Sequence, residues 1–452
     1  MKSNDLTNGN LLAIIVKFSI PYLVSCALQL LYNLVDLFVV GKYCDVPSIT
    51  AVSIGGQFMH FLTVIIVGLS MGTTVMLAQS IGANDAGRAR KTVGNTINLF
   101  LVIGVVLAAG LYFSVDFITD LMSTPEQATR GTSNYLKISF LGLPAIVGYN
   151  IISSVFRGMG DSRTPMFVVI VACAFNIGLD FLLIGHFHLG PEGAAYGTIL
   201  AQLTSVIFAL IIIRTKKLLS IQRNDFRYDK TTLKNVLRVG LPIAFQDGFI
   251  QISFLVITVI ANLRGLNDAA AVGVSEKIIG ILFLVPSAML STVSAVSAQN
   301  IGAHKFGRAK LTLKYGIFIA TGIGLISAFA VQLVSDGLIG LFTTDANVIV
   351  SGAQYLDAYV WDCVFAGIHF CFSGFFCACG LSMASFAHNV ISIMLARIPL
   401  AYVASVTFTT TLFPMGLATV VGSLLSVVIC VLIYRWMIRH PQRFALLQSD
   451  LH

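Results

Sequence analysis

Two aspartates stand inside long apolar runs of this 452-residue chain: Asp36 in LLYNLVDLFVVG and Asp180 in FNIGLDFLLIG. An ionisable group in such a run is costly to bury and is a functional candidate by default. Tyr32 lies four residues before Asp36 and Asn176 four before Asp180, so each oxygen-bearing partner shares a helical face with its aspartate. Two carboxylates brought together in a low dielectric cannot both stay ionised cheaply, and either a proton or a small hard cation relieves the repulsion. Asparagine, threonine and tyrosine oxygens can complete a Na⁺ shell or hydrogen-bond a protonated acid. The plainer alternative is that each aspartate braces or caps a neighbouring helix.

The elements that must hold these groups are membrane helices. The chain is 56% apolar and only 11% charged, with a mean hydropathy of +0.88, against roughly 25% charged residues in soluble domains. Its apolar residues come in long blocks, which excludes a soluble fold and excludes nucleic-acid binding as the meaning of the +8 net charge. The eight cysteines lie mostly in apolar segments and build no disulfide framework. Cys377 and Cys379 with nearby His388 lack zinc-site spacing. The first apolar run, interrupted by Pro21, is too long for a signal-peptide core.

Apolar blocks predict twelve helices, near 12–40, 50–80, 93–115, 135–157, 165–186, 192–213, 239–262, 270–300, 312–335, 352–377, 385–411 and 415–438. The expected fold class is therefore an all-α polytopic membrane protein. Lys and Arg crowd onto one side, including Lys2, Arg88, Arg90, Lys91, the stretch 214–238, Lys305, Arg308 and Arg443, whereas outer segments hold only Lys42, Arg130, Lys137 and Arg264. That bias puts both termini in the cytoplasm. On this topology Asp36 and Asp180 lie roughly 6–9 Å below the outer surface at 1.5 Å per residue. Thr198 comes to the same depth on the next helix, and Asn150 lies nearer mid-membrane.

The sequence also repeats itself. AQSIGANDAGRARKT (78–92) and AQNIGAHKFGRAKLT (298–312) agree at nine of fifteen positions. Pro21 pairs with Pro242 and Gly160 with Gly380 at a similar offset. Six helices per repeat give two parallel bundles, 1–213 and 239–452, joined by a cytoplasmic linker at 214–238; two such bundles across a cleft suit an alternating-access carrier. The repeat is not symmetric in its charges, because the position matching Asp36 is Ile257. The second half carries Asp247, Glu276, Lys277 and Asp362 instead, and Gln246, Asp247 and Lys277 are its candidate functional residues. His60, His369 and His388 read as packed helix residues, and His186 and His188 as a loop pair with nothing to complete a metal site.

At these residues the chain resembles the multidrug and toxic compound extrusion (MATE) transporters over essentially its whole length. The run LYNLVDLFVVG, the two AQxxGA loops, YNIISSVFRGMGDSRTP (149–165), FNIGLDFLLIG and GPEGAAYGT (190–198) carry the resemblance together. It implies a cation site of the first lobe at Asp36, Asn176, Asp180 and Thr198, like that of the DinF-like and NorM-like branches, assisted by Tyr32 and Asn150, with Pro21 where helix 1 bends. It also implies an antiporter, not an enzyme, that exports amphipathic cationic or aromatic compounds against H⁺ or Na⁺ from the cell membrane. No cofactor is expected, and no metal beyond Na⁺. The expected partners are a small organic substrate and membrane lipid, with a monomeric chain. The second half departs from the pattern, since acidic residues used there by some NorM-like members have no counterpart, although Asp247 and Asp362 lie on the corresponding helices. The rival carriers are the major facilitator class, whose loop signature is half met at Asp85–Ala86 and Lys305, and lipid-linked saccharide flippases, which carry a more basic cavity. A membrane enzyme would need a nucleophile–base pair or metal cluster at one depth, and none is present in the sequence.

Overall fold

The computed structural model describes residues 4–215 and 222–440, and every regular element within them is helical. Residues 216–221 of the expected linker, together with Lys2 and Arg443, lie outside the described residues. The spans are α1 Leu11–Tyr43, α2 Val46–Gly82, α3 Ala86–Phe113, α4 Glu126–Leu141 with Leu143–Gly158, α5 Arg163–His186 and α6 Gly190–Thr215. They continue as α7 Lys230–Asn262, α8 Leu266–Gly302, α9 Phe306–Gly340, α10 Ala346–Ala378, α11 Ser382–Thr407 and α12 Phe413–Arg439. Large exposed apolar side chains such as Phe38, Phe318 and Leu333 give the helices the surface that hydrocarbon solvates.

Several helices start earlier than their apolar blocks. The third begins at Ala86 and the seventh at Lys230, because polar first turns carry the helix on into water. There Asp85 accepts from the Arg88 N–H (2.8 Å) and Asp229 from the Thr231 N–H (3.0 Å), satisfying N-terminal donors that have no partner within the helix. The fourth span is broken, with a 49° bend between its limbs. At the break Gly142 packs so tightly that a Cβ would sit 2.3 Å from Ile199 Cγ1, and Pro144 in the next turn contributes no N–H. The first span runs as continuous helix through Pro21, whose carbonyl accepts from Ser25 Oγ at 2.8 Å.

Two short π-helical segments interrupt the α geometry: Phe181–His186, directly after Asp180, and Ile393–Arg397. Such segments often mark functional positions. The repeated loops also share one backbone geometry. Ala83 N–H donates to Gln79 O (2.9 Å) and Ala303 N–H to Gln299 O (3.0 Å), and Asn84 and His304 both adopt a left-handed φ, 55° and 57°.

The described residues form two compact units. One holds Ile20–Gly240, and the other holds Leu6–Ser19 and the helices from Leu241 on. Within the first unit the stretch before α7 is strapped to α3: Asn98 Nδ2 donates to Phe226 O (2.7 Å), Asn95 Nδ2 to Arg227 O (3.1 Å), and the Asp229 N–H to Asn95 Oδ1 (2.8 Å). Within the second, the Leu6 N–H donates to Gln299 Oε1 (2.9 Å), fastening the N-terminal stretch to the second repeated loop.

Candidate ion site

Three helices of the first unit bring the expected oxygens together. The first span supplies Asp36, the fifth Asn176 and Asp180, the sixth Thr198, and all but the half-buried Thr198 are enclosed, at 6%, 1% and 0% exposure for Asp36, Asn176 and Asp180. Thr198 Oγ1 donates to Asp36 Oδ2 at 3.3 Å. The Asp36 carboxyl also meets the Asp180 carboxyl and the Asn176 amide. Close approach of the helices makes this possible, since a Cβ on Gly197 would lie 2.6 Å from Asp180 Oδ1 and 3.6 Å from Asn176 Nδ2.

What the protein leaves unpaired defines the chemistry. Asp36 Oδ1, both Asp180 carboxyl oxygens and both polar atoms of the Asn176 amide are buried without a hydrogen-bond partner. Buried polar groups are normally satisfied, and each exception calls for a reason. Two ionised carboxylates only accept, so their mutual contact requires a proton or a cation between them. A small hard cation would find carboxylate, amide and hydroxyl oxygens here, the donor set such ions take. Among the described residues no ion pair is made to either aspartate.

The remaining sequence candidates fall differently. Tyr32 lies beside Asp36 and Gln202. Asn150 is buried, but its amide donates to Ile146 O one turn back (2.8 Å), and the structure gives it no contact with the carboxylates. Tyr135, on the first limb of the broken fourth span, was not singled out from the sequence, yet it is buried within electrostatic reach of Asp36, Tyr32 and Asp180. Its ring also lies against Gly55. Its only sequence signal is a tyrosine on the buried face of an amphipathic limb, which a packed core residue also shows.

In the second unit Gln246 is wholly buried and accepts from Ser385 Oγ at 2.6 Å, a structural bond within the bundle. Asp247 is half-buried with its carboxyl beside the Gln246 amide, and Lys277 is exposed. The charges that do gather there are Glu276, Asp362 and Arg397.

Eleven apolar spans and one broken span among the described residues, built on two repeats, define an integral membrane protein. The comparisons give its family: the chain matches the MatE family over residues 21–182 and 242–403, and so belongs to it. Members of this family are transporters, not enzymes, and the match displaces the major-facilitator reading. The chain is 28% identical over 397 residues to the probable multidrug resistance protein YoeA of Bacillus subtilis, covering 86% of each protein. It is 24% identical over 365 residues to the multidrug export protein MepA of Staphylococcus aureus, covering 80% of each. Among solved structures, a MOP superfamily transporter from Pyrococcus furiosus superposes with a TM-score of 0.91 at 23% identity, covering 97% of this chain and 99% of that one.

Proposed function

We propose that this chain is a secondary active antiporter of the cell membrane that exports amphipathic organic compounds, cationic or aromatic, in exchange for H⁺ or Na⁺. Asp36, Asp180, Asn176 and Thr198 form its coupling-ion site, with Tyr32 and Tyr135 enclosing it and Asn150 contributing to the packing beneath. The chain acts as a monomer by alternating access, with both termini cytoplasmic. The observation that carries this reading is the buried carboxylate pair, three of whose four oxygens no protein donor satisfies. The multidrug names of the Bacillus and Staphylococcus relatives support the class of cargo.

The energetics follow from the geometry. An ion biases a conformational equilibrium only through its differential affinity for the two states. A pair that cannot remain doubly ionised when enclosed, but can when hydrated, has that property. Protonation or cation binding therefore favours the enclosed arrangement, and hydration of the pair favours release.

Efflux of a cationic dye from loaded proteoliposomes, with proton and sodium gradients imposed separately, tests the reading and names the ion. One of the two gradients should drive dye uphill, and a protein that responds to neither is not an ion-coupled exporter. Orientation is tested by cysteine access in a cysteine-free background. A cysteine at Arg223 should resist an impermeant thiol reagent in intact cells, whereas Cys44 restored alone should be labelled; the opposite pattern reverses the topology.

A further inference from the structure

The stretch that leads into α7 is strapped across α3 at a defined height. A short 3₁₀ turn, Arg223–Phe226, begins it. Gly94 of α3 leaves room for the Asp225 carbonyl, since a Cβ there would lie 2.3 Å from that oxygen. Asn98 Nδ2 then donates to the Phe226 carbonyl (2.7 Å) and Asn95 Nδ2 to that of Arg227 (3.1 Å). This height is a boundary on α3. Arg88 and Lys91 are exposed before it. One turn beyond Asn98 begin Leu101, Val102, Val105 and Val106, all more than half exposed. Exposed apolar side chains on a spanning helix meet hydrocarbon, so the strap lies at the level of the lipid headgroups.

The strap also sorts its side chains by charge. Asp225 is turned inward and buried; its Oδ2 accepts from the Gln222 N–H (2.8 Å) and lies 3.5 Å from Arg90 Nε. Asp229 is engaged by the first turn of α7, accepting from the Thr231 N–H (3.0 Å) and the Thr232 hydroxyl (2.8 Å). The cations are left outside. Arg223, Arg227 and Lys230 are exposed, and among the described residues their side chains make no ion pair and no hydrogen bond. Between them stand two aromatic rings, Phe226 at 38% exposure and Tyr228 at 75%. Aromatic side chains settle at the membrane–water interface, and guanidinium forks match the oxygens of a phosphate.

We propose that the strap 223–230 binds the headgroup of an anionic phospholipid, whose phosphate meets Arg223, Arg227 and Lys230 while Phe226 and Tyr228 rest among the upper acyl chains. Clustered lysines and arginines beside a spanning helix attract anionic headgroups. A zwitterionic headgroup fits less well, because its own ammonium faces the same three cations. The backbone hydrogen bonds to Asn95 and Asn98 hold the cations in place before the lipid arrives, which lowers the ordering cost of binding. On the proposed topology the lipid belongs to the cytoplasmic leaflet. The site is independent of the carboxylate pair, and its lipid fixes the depth at which α7 begins.

Fluorescence quenching in the full-length protein tests this. Trp361 and Trp436 are replaced by Phe and Tyr228 by Trp, and the protein is placed in equimolar phosphatidylcholine–phosphatidylglycerol vesicles in which one lipid at a time carries bromine high in its acyl chains. Bulk composition is then constant, so the difference in quenching reports which lipid lies against residue 228. Brominated phosphatidylglycerol should quench roughly twofold or more strongly than brominated phosphatidylcholine, and the preference should shrink with added salt. Arg223→Gln with Arg227→Gln should abolish the preference. Lys42→Gln with Arg130→Gln, an equal loss of charge which the proposed topology puts on the other face, should leave it. Equal quenching by the two lipids with the strap cations intact overturns the inference, as does a preference that survives the Arg223 and Arg227 changes or is lost equally with those at Lys42 and Arg130. Loss of the preference when inorganic phosphate replaces chloride at equal ionic strength also overturns it, by assigning the site to a free anion. If the Arg223 and Arg227 variant does not assemble, the intact strap and its phosphate arm decide by the same criteria.

Discussion

The two halves of the chain are built on one repeat but treat buried charge in opposite ways. In the first unit two carboxylates face each other with open oxygens and no cation of the protein's own. In the second, the repeat position matching Asp36 is Ile257, which belongs to a buried apolar cluster. On the proposed reading, the duplicated scaffold keeps its loop geometry in both copies while only the first carries ion chemistry.

The sharpest way to break the comparison is to remove charge from each side in turn. Asp36→Asn keeps size and hydrogen-bonding capacity but removes the titratable group, so gradient-driven dye efflux should fall to background while the protein still inserts. Asp180→Asn should be impaired but milder, since one carboxylate remains to bind. Next in size is Gly197→Ala. The added methyl meets Asp180 Oδ1 at 2.6 Å, and overpacking of this kind costs about 1–3 kcal/mol, so apparent ion affinity should drop by roughly tenfold or more. Gly178→Ala, on the same helix as Asp180 with nothing within 4 Å of its would-be Cβ, should leave the concentration dependence of ion-driven efflux unchanged. Asp362→Asn in the second unit should keep efflux within a few-fold of wild type; complete loss with normal insertion would place essential ion chemistry in both units.

The smallest effect concerns how the first span of each repeat begins. The first span starts after Asn10, whose side-chain oxygen accepts from the Ala13 N–H (3.2 Å), a cap without charge. The seventh starts after Asp229, where the Thr232 hydroxyl and then the backbone N–H groups of Thr231 and Thr232 hold the carboxyl below its ordinary value. A depressed folded-state value means the cap's contribution is present above the ordinary carboxylate range and is lost as pH falls through the folded value. Asp229→Ala should lower thermal stability at neutral pH by about 1 kcal/mol. That difference should fade in acid, whereas an Asn10→Ala difference should not change with pH.

Much of this was legible in the chain because lipid imposes simple rules. Long apolar blocks can only be spanning helices, and the two AQxxGA loops announced the repeat. Asp36 and Asp180 stood out for the cost of placing them there, and Tyr32, Asn176 and Thr198 followed from helical spacing and depth. What escaped was set by lateral packing, which a single helix does not reveal. Tyr135 reaches the site only because its limb leans on the second span at Gly55. Asn150 has suitable depth but turns back onto its own helix. Arg397 could be found in the sequence as a charge in a helix, yet its partners Tyr359 and Phe254 come from the tenth and seventh spans and no spacing rule connects them. Gln246, Asp247 and Lys277 were polar residues in apolar surroundings, but Gln246 is held by Ser385 and Lys277 lies on the exposed surface of its helix.

The central claim, that the coupling ion is carried by the first unit alone, is tested most directly by measuring the ion itself. In proteoliposomes, an imposed dye gradient should drive counterflow of the coupling cation, read as internal pH or as radioactive sodium. The account predicts counterflow in wild type, none with Asp36→Asn, and clear counterflow with Asp362→Asn. Cation movement that survives Asp36→Asn and stops with Asp362→Asn would contradict it.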